Sequence, residues 1–199
     1  MLIMAKLYFK YGAMGSSKTA QALITKYNYE ENGLKVWLIK PSTDTRDGET
    51  VIRSRIGLEA TAEPVFPESD LWELFHRRSC DIIIVDECQF LCPEHIDQLR
   101  TIVDEGNTPV ICFGLRTDFL TRLFPGSLRL MELADSIQEI KTICDCGNKA
   151  VVNARIDANG KIVTEGAQVV LGGNDRYIAL CHRCYTRGIK DQKTIQLHK

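Results

Sequence analysis

The sequence predicts an α/β fold in which a doubly wound, mostly parallel sheet is followed by a small cysteine-rich unit. Short apolar runs alternate with helix-spaced segments up to residue 141, a pattern typical of a parallel sheet covered by helices. From Thr142 onward the pattern changes to short alternating strands with two close cysteine pairs. We therefore expect an α/β domain at residues 1–141, a second domain at 142–191 and a tail at 192–199.

Length and charge narrow the possible functions. The 199 residues suffice for one α/β domain with a small appendage. With 25 basic and 26 acidic residues the net charge is -1. The chain therefore lacks the positive field that is typical of nucleic-acid-binding proteins. No apolar run is long enough to span a bilayer or to serve as a signal sequence. We expect a cytosolic, cytoplasmic protein with no membrane and no nucleic-acid partner.

A glycine-containing loop joins the first predicted strand, at 6–11, to the first predicted helix, at 18–32. It nearly matches G-x-x-x-x-G-K-[ST], a pattern whose backbone N–H groups and helix N-terminus surround nucleotide phosphates, while its threonine ligates Mg²⁺. The matching residues are Gly12, Ala13, Met14, Gly15, Ser16, Ser17, Lys18 and Thr19. Ser17 replaces the second glycine, so a left-handed backbone there would cost about 1 to 2 kcal/mol. Taken alone, the match leaves an accidental turn as the alternative.

Further strands and helices follow in alternation. We predict strands at 34–40, 81–87, 108–113 and 136–141, and helices at 70–78 and 93–105. Asp70 and Glu73 form a capping-box-like start for the earlier helix, and Pro93 fits the first position of the later one. Segments 42–67 and 114–126 are predicted to be loops, the former long and partly mobile.

Two carboxylates end the strand predicted at 81–87, whose middle is entirely aliphatic. Four aliphatic residues ending in Asp are typical of phosphate-loop enzymes that hold Mg²⁺ near the loop threonine, so Asp86 is predicted to lie at the metal. Successive strand side chains face opposite ways, so Glu87 should face the acceptor of the phosphoryl group and is the candidate general base. A solvated loop start without a role is the alternative.

Asp44 and Arg46 follow the second strand at the edge where open α/β sheets bind ligands. An arginine there could meet a phosphate group, or it could be an ordinary solvated charge.

Two cysteine pairs predict a metal site. Cys144, Cys146, Cys181 and Cys184 suit tetrahedral zinc, although C-x-C is tighter than the usual spacing and His182 is a possible rival ligand. Four protein ligands leave no open position, so this zinc would be structural. Between the pairs, Asn159-Gly160 predicts a hairpin joining strands at 151–156 and 161–163.

With these motifs the chain resembles cytosolic-type thymidine kinases of the zinc-containing class, in their bacterial form, over nearly its whole length. The motifs that carry the resemblance are Tyr11-Gly-Ala-Met14, Asp44-Thr-Arg46, Asp86-Glu-Cys-Gln-Phe90, Gly114-Leu-Arg-Thr-Asp-Phe119, Thr142-Ile-Cys-Asp-Cys-Gly147 and Gly172-Gly-Asn-Asp-Arg-Tyr177. The resemblance implies transfer of the ATP γ-phosphoryl group to the thymidine 5′-hydroxyl, a step of pyrimidine salvage for DNA synthesis. It implies that Glu87 is the base, that residues 12–19 with Asp44, Arg46 and Asp86 bind ATP, and that Thr19 and Asp86 hold Mg²⁺.

The same resemblance implies a nucleoside pocket and a regulated assembly. The implied pocket residues are Met14, Phe90, Leu115, Phe119, Phe124 and Tyr177. A lasso-like loop closes over the base in the family, and the residues at that position are Gln168, Val169, Val170, Leu171 and Gly172. Family members form homotetramers and are inhibited by the end product, thymidine triphosphate (dTTP). The sequence motifs alone also allow two other functions. One is a nucleotide-hydrolysing switch whose zinc ribbon binds a macromolecule, and the other is a binding protein without catalytic activity.

Overall fold

A six-stranded parallel sheet forms the centre of the computed structural model, which describes residues 4–168 and 176–191. In spatial order its strands are β5 (Glu63–Val65), β2 (Val36–Pro41), β6 (Ile82–Val85), β7 (Val110–Gly114), β1 (Leu7–Tyr11) and β8 (Ser136–Glu139). All five pairings are parallel, and the chain visits strands on both sides of β1. The predicted doubly wound, mostly parallel sheet is therefore confirmed.

Helices cover both faces of this sheet. They are α1 (Lys18–Glu31), α2 (Leu71–His76), α3 (Pro93–Glu105) and α4 (Pro125–Leu133). The alternation of β6 divides the core: Ile82 and Ile84 pack in the layer under α1, whereas Ile83 and Val85 pack in the layer under α3. All four residues are fully buried, as expected for a central parallel strand. Among the residues described, the helices lack the length and hydrophobicity that a bilayer-spanning segment needs.

Local signals at the helix starts agree with the structure. The Asp70 side chain accepts a hydrogen bond of 2.9 Å from the Glu73 backbone N–H, which caps α2 as predicted. Pro93 is the first residue of α3. Helix α4 was not predicted, and its first residue, Pro125, lies inside the segment expected to be a loop.

The prediction of one long loop at 42–67 is wrong. The segment 42–67 contains β3 (Val51–Arg53) and β4 (Glu59–Thr61), which form an antiparallel pair. It also contains the edge strand β5. Three-residue strands are too short to give a periodic signal, and a proline is tolerated in β5 because this strand lies at the sheet edge. The buried Lys40 anchors the segment, donating to the carbonyl oxygens of Gly48 and Val51 at 3.0 Å each.

The C-terminal part has a separate small core. Its elements are β9 (Thr142–Ile143), β10 (Lys149–Ala150), β11 (Val152–Ile156), β12 (Arg176–Leu180) and α5 (His182–Asp191). The predicted turn forms, with Gly160 N–H donating to the Asp157 carbonyl at 3.0 Å. However, the predicted strand at 161–163 supplies only the isolated bridge Ile156–Ile162, and β11 pairs with β12 instead. The predicted tail at 192–199 lies outside the described residues.

Candidate active site

A cleft of about 660 Å³ lies at the carboxyl ends of β2, β6 and β7. Its volume is in the range of small-molecule sites, and its position is where open α/β sheets bind ligands. The residues of sequence interest that line it are Met14, Gly15, Ser17, Lys18, Thr19, Asp44, Arg46, Asp86, Glu87, Phe90, Leu115, Phe119, Phe124, Gln168 and Tyr177. Gly12, Ala13 and Ser16 belong to the same loop but do not line the cleft. Val169, Val170, Leu171 and Gly172 lie outside the described residues.

The phosphate loop makes a tight turn between β1 and α1. A side chain at Gly12 would clash with the Ile140 carbonyl oxygen and the Ser16 hydroxyl, and Gly15 has a left-handed φ of 74°. Ser17 is also left-handed, with φ 62° and ψ 27°, and its side chain makes no capping hydrogen bond to α1. The position therefore requires the conformation that favours glycine, and the serine adopts it without local compensation.

Lys18 is buried at the first position of α1. Its Nζ donates to the Ala13 carbonyl at 3.0 Å and to the Ser16 hydroxyl at 3.4 Å. Burial lowers the Lys18 pKa, whereas the nearby carboxylates of Glu87 and Asp86 oppose this shift. A phosphate group in the cleft would supply further negative charge to this ammonium group.

Asp86 lies at the end of β6 and interacts with the Thr19 hydroxyl. Its carboxyl is almost fully buried, and burial together with the neighbouring Glu87 raises its pKa to about 7. A carboxylate and a hydroxyl are the oxygen donors that Mg²⁺ prefers, so these two residues fit a magnesium site. A cation beside Asp86 would favour the ionised carboxylate.

Glu87 faces the cleft for a reason that the sequence did not reveal. It is not a strand residue: its φ is 51° and it immediately precedes the single helical turn Cys88–Phe90. The expected strand alternation is therefore wrong as an explanation, because the left-handed backbone turns the side chain. Arg46 donates to Glu87 Oε1, and Gln89 Nε2 donates to Glu87 Oε2 at 2.5 Å.

Asp44 and Arg46 lie in the loop after β2, and the Arg46 side chain extends to Glu87. Arg46 Nε donates to Asp44 Oδ1 at 2.6 Å, and the Arg46 guanidinium also pairs with Glu87. The Glu87 charge is the main cause of the raised Arg46 pKa. Burial opposes ionisation of Asp44, but the hydrogen bond and charge of Arg46 lower its pKa overall. The Arg46 side chain is 58% exposed, so it can reorient towards an anion in the cleft.

Aromatic side chains form the opposite wall. Phe90 and Phe124 meet edge to face, with centroids 5.6 Å apart and planes at 81°. The Arg155 guanidinium lies 3.8 Å from the Phe119 ring centroid, and its Nε donates to the Tyr177 hydroxyl at 2.9 Å. This wall suits a flat, largely apolar ring.

Three polar residues that the sequence analysis did not select connect the parts of the cleft. Gln89 binds Glu87, and Arg155 binds Tyr177. Asn153, in β11, accepts from the Met14 backbone N–H at 2.8 Å and donates to the Thr117 carbonyl at 3.0 Å. Only Gln89 carried a signal, because it lies within the motif between Glu87 and Phe90. The other two acquire their partners through folding.

The predicted metal ligands converge. The Sγ atoms of Cys144, Cys146, Cys181 and Cys184 all lie within 4.8 Å of one another, and His182 is not in the cluster. Cys146 Sγ is 3.6 Å from Cys181 Sγ, close to the roughly 3.8 Å expected between thiolates on tetrahedral zinc. Hydrogen bonds from Asn148 lower the Cys146 pKa to about 6, which favours the metal-binding thiolate. All eight cysteines lie in the described ranges and none forms a disulfide.

Comparison with known proteins identifies the family. A family model described as thymidine kinase matches residues 5–185. The chain belongs to the thymidine kinase family. It is 45% identical over 185 residues to the thymidine kinase of Rhizobium etli, covering 90% of this chain and 92% of that protein. It is 45% identical over 184 residues to that of Zymomonas mobilis, covering 90% and 95%, and 45% over 190 residues to that of Legionella pneumophila, covering 93% and 91%. The resemblance drawn from the motifs is confirmed.

Replacing Ser17 tests the strain in the phosphate loop of this family member. Ser17→Gly should raise the free energy of unfolding by about 1 kcal/mol, because glycine adopts the left-handed conformation at little cost. Ser17→Ala retains Cβ and loses no capping bond, so it is the matched control and should leave stability nearly unchanged. Denaturant unfolding of the apoprotein measures both effects. A Ser17→Gly variant no more stable than Ser17→Ala would argue against strain at this position.

Replacing one cysteine of the cluster tests the metal site. The purified protein should contain one zinc ion per chain, and Cys184→Ser should lose it and unfold at a lower temperature, because zinc binding stabilises the small C-terminal core. Cys80→Ser, outside the cluster, is the control and should retain the metal. Elemental analysis and thermal denaturation provide the measurements. Full zinc content in Cys184→Ser would exclude the four-cysteine ligand set.

Proposed function

We propose that this protein transfers the γ-phosphoryl group of ATP to the 5′-hydroxyl of thymidine, as a phosphotransferase of pyrimidine salvage. The main support for this proposal is that a single cleft contains a phosphate loop, the carboxylates of Asp86 and Glu87 after β6, and an aromatic wall. The chain also belongs to the thymidine kinase family. Each of these parts matches a chemical requirement of the reaction.

Residues 12–19 bind the triphosphate in this proposal. Backbone N–H groups of the loop and the N-terminus of α1 attract the phosphates, and Lys18 neutralises their terminal charge. Thr19 and Asp86 would hold Mg²⁺, which would neutralise negative charge on the phosphates during transfer. The contact between Thr19 and Asp86 supports this pairing.

Glu87 acts as the general base. The acceptor hydroxyl loses its proton to the Glu87 carboxylate as its oxygen attacks the γ-phosphorus, and the bond from that phosphorus to the β–γ bridging oxygen breaks to release ADP. Arg46 pairs with Glu87 in the described structure, and its exposed side chain can shift towards the transferring phosphoryl group. Asp44 retains Arg46 close to the phosphates by holding its Nε.

The thymine base binds against the aromatic wall. Met14, Phe90, Leu115, Phe119, Phe124 and Tyr177 supply the apolar surface. We propose that Gln168, Val169, Val170, Leu171 and Gly172 recognise the edge of the base through backbone groups, because they occupy the sequence position of the family's lasso-like loop. The hydrogen bond of 3.0 Å from Gln168 Nε2 to Asp118 supports this role at the start of the loop.

The remaining features concern assembly. Residues 142–191 form a separate domain, consistent with its own core, and a structural zinc ion there has no catalytic role because four thiolates complete its coordination.

We also propose a cytoplasmic homotetramer that is inhibited by dTTP. The exposed apolar side chains Ile24 and Tyr27 on α1 support self-association. The net charge of -1 supports the expectation that nucleic acid is not a partner.

Nucleoside dependence of ADP release tests the function. With ATP and Mg²⁺, ADP should appear only when thymidine is added, in equal amount to thymidine monophosphate. A switch of the kind that the sequence left open would release ADP without nucleoside or in response to a macromolecule, and a dead scaffold would release none. Either outcome would contradict the proposal.

Substitution of Glu87 tests the base. Glu87→Gln should lower kcat by about 10²- to 10⁴-fold, because the amide cannot accept the proton, while ATP affinity changes little. Glu94→Gln, on the exposed start of α3, is the matched control and should retain normal turnover. Steady-state kinetics and ATP titration give the two readouts. Near-normal kcat in Glu87→Gln would remove this residue from the mechanism.

A further inference from the structure

Gln89 occupies an unusual place between the two halves of the cleft. Its side chain is 1% exposed, although it lies in the short turn Cys88–Phe90. Gln89 Nε2 donates to Glu87 Oε2 at 2.5 Å, and Gln89 Oε1 accepts from the Leu115 backbone N–H at 2.9 Å. One amide therefore connects the carboxylate of the base to the segment that begins the aromatic wall.

The Leu115 N–H determines which way this amide points. A backbone N–H can only donate, so it must face the amide oxygen, and the amide NH₂ must then face Glu87. Glu87 Oε2 consequently acts as the acceptor of the amide N–H. Gly114 makes the arrangement possible, because a Cβ there would lie 2.5 Å from Gln89 Oε1.

The other carboxylate oxygen has a partner of a different kind. Glu87 Oε1 accepts from Arg46, whose side chain is 58% exposed and can move, whereas Gln89 is enclosed. A phosphoryl group in the cleft offers Arg46 an alternative anion. When Arg46 moves, Oε1 becomes available while Oε2 stays bonded to the amide.

We propose that Gln89 is a positioning residue that orients the Glu87 carboxylate and reserves Oε1 for the proton of the acceptor hydroxyl. This inference rests on the proposed function, in which Glu87 is the base. In the step, the hydroxyl O–H bond breaks, a new O–H bond forms at Oε1, and the alkoxide oxygen bonds to the γ-phosphorus as ADP leaves. Oε2 remains the acceptor of the Gln89 N–H throughout.

A double-mutant cycle tests this role. Gln89→Met should lower kcat by about 10- to 100-fold, because a carboxylate without its buried donor loses its productive orientation, whereas the KM for ATP should change less than about threefold. In a Glu87→Gln background the same substitution should lower the residual kcat by less than about threefold, because residues that act as one unit are not additive.

Controls separate positioning from general damage. Gln98→Met removes a glutamine that likewise accepts from a backbone N–H, that of Leu71 at 2.9 Å, and should leave kcat unchanged. Gln89→Glu retains an acceptor for Leu115 but has no amide donor for Glu87, so it should show a loss of kcat comparable to Gln89→Met. ATP titration counts the folded sites in every variant.

Three outcomes are decisive. Equal losses of kcat from Gln89→Met in both backgrounds would overturn the inference, because Gln89 would then act through the pocket or through stability. Full activity of Gln89→Glu would overturn it as well. Near-normal activity of Glu87→Gln would instead refute the base in the proposed function, whatever the effect of Gln89→Met.

Discussion

Opposite charges buried together are the constraint on which the site depends. Isolated burial of an ionised side chain costs several kcal/mol, and the cleft encloses Lys18, Asp44, Asp86 and Glu87. Each has a compensating neighbour, because Arg46 contacts two of the carboxylates and Lys18 is attracted to Asp86 and Glu87. This compensation requires the phosphate loop, the end of β6 and the loop after β2 to keep fixed relative positions. The parallel sheet provides that rigidity.

Local sequence signals were enough to predict the sheet, the phosphate loop, the acidic pair and the four cysteines. The four aliphatic residues of β6 indicate a central strand without any knowledge of its partners. The strands between 42 and 67 were missed because three residues give no periodicity and their pairing is determined by distant segments. Asn153 and Arg155 resemble ordinary surface residues in the sequence, and Gln89 is marked only by its place in the motif that ends at Phe90. Their importance comes from partners that are brought close only by folding.

Two non-glycine residues with left-handed backbones line the cleft. Ser17 immediately precedes α1 and Glu87 lies two residues beyond β6, with φ values of 62° and 51°. Strained backbones of this kind persist where the surrounding structure holds them, and they are common at functional sites. At Glu87 the left-handed backbone turns the side chain towards the cleft, whereas an extended backbone would continue the alternation of β6. The Ser17 side chain makes no capping hydrogen bond to α1, so we expect its left-handed backbone to lower the stability of the protein.

Asn153 gives the cysteine cluster an influence beyond its own core. This buried amide extends from β11 to the Met14 N–H of the phosphate loop and to the Thr117 carbonyl. Its position depends on the strand pair β11–β12, which packs with Cys144, Cys181 and Cys184 of the cluster. Loss of order in the four-cysteine unit would thus reach the phosphate loop through Asn153, so a site far from the phosphates can influence how they are held.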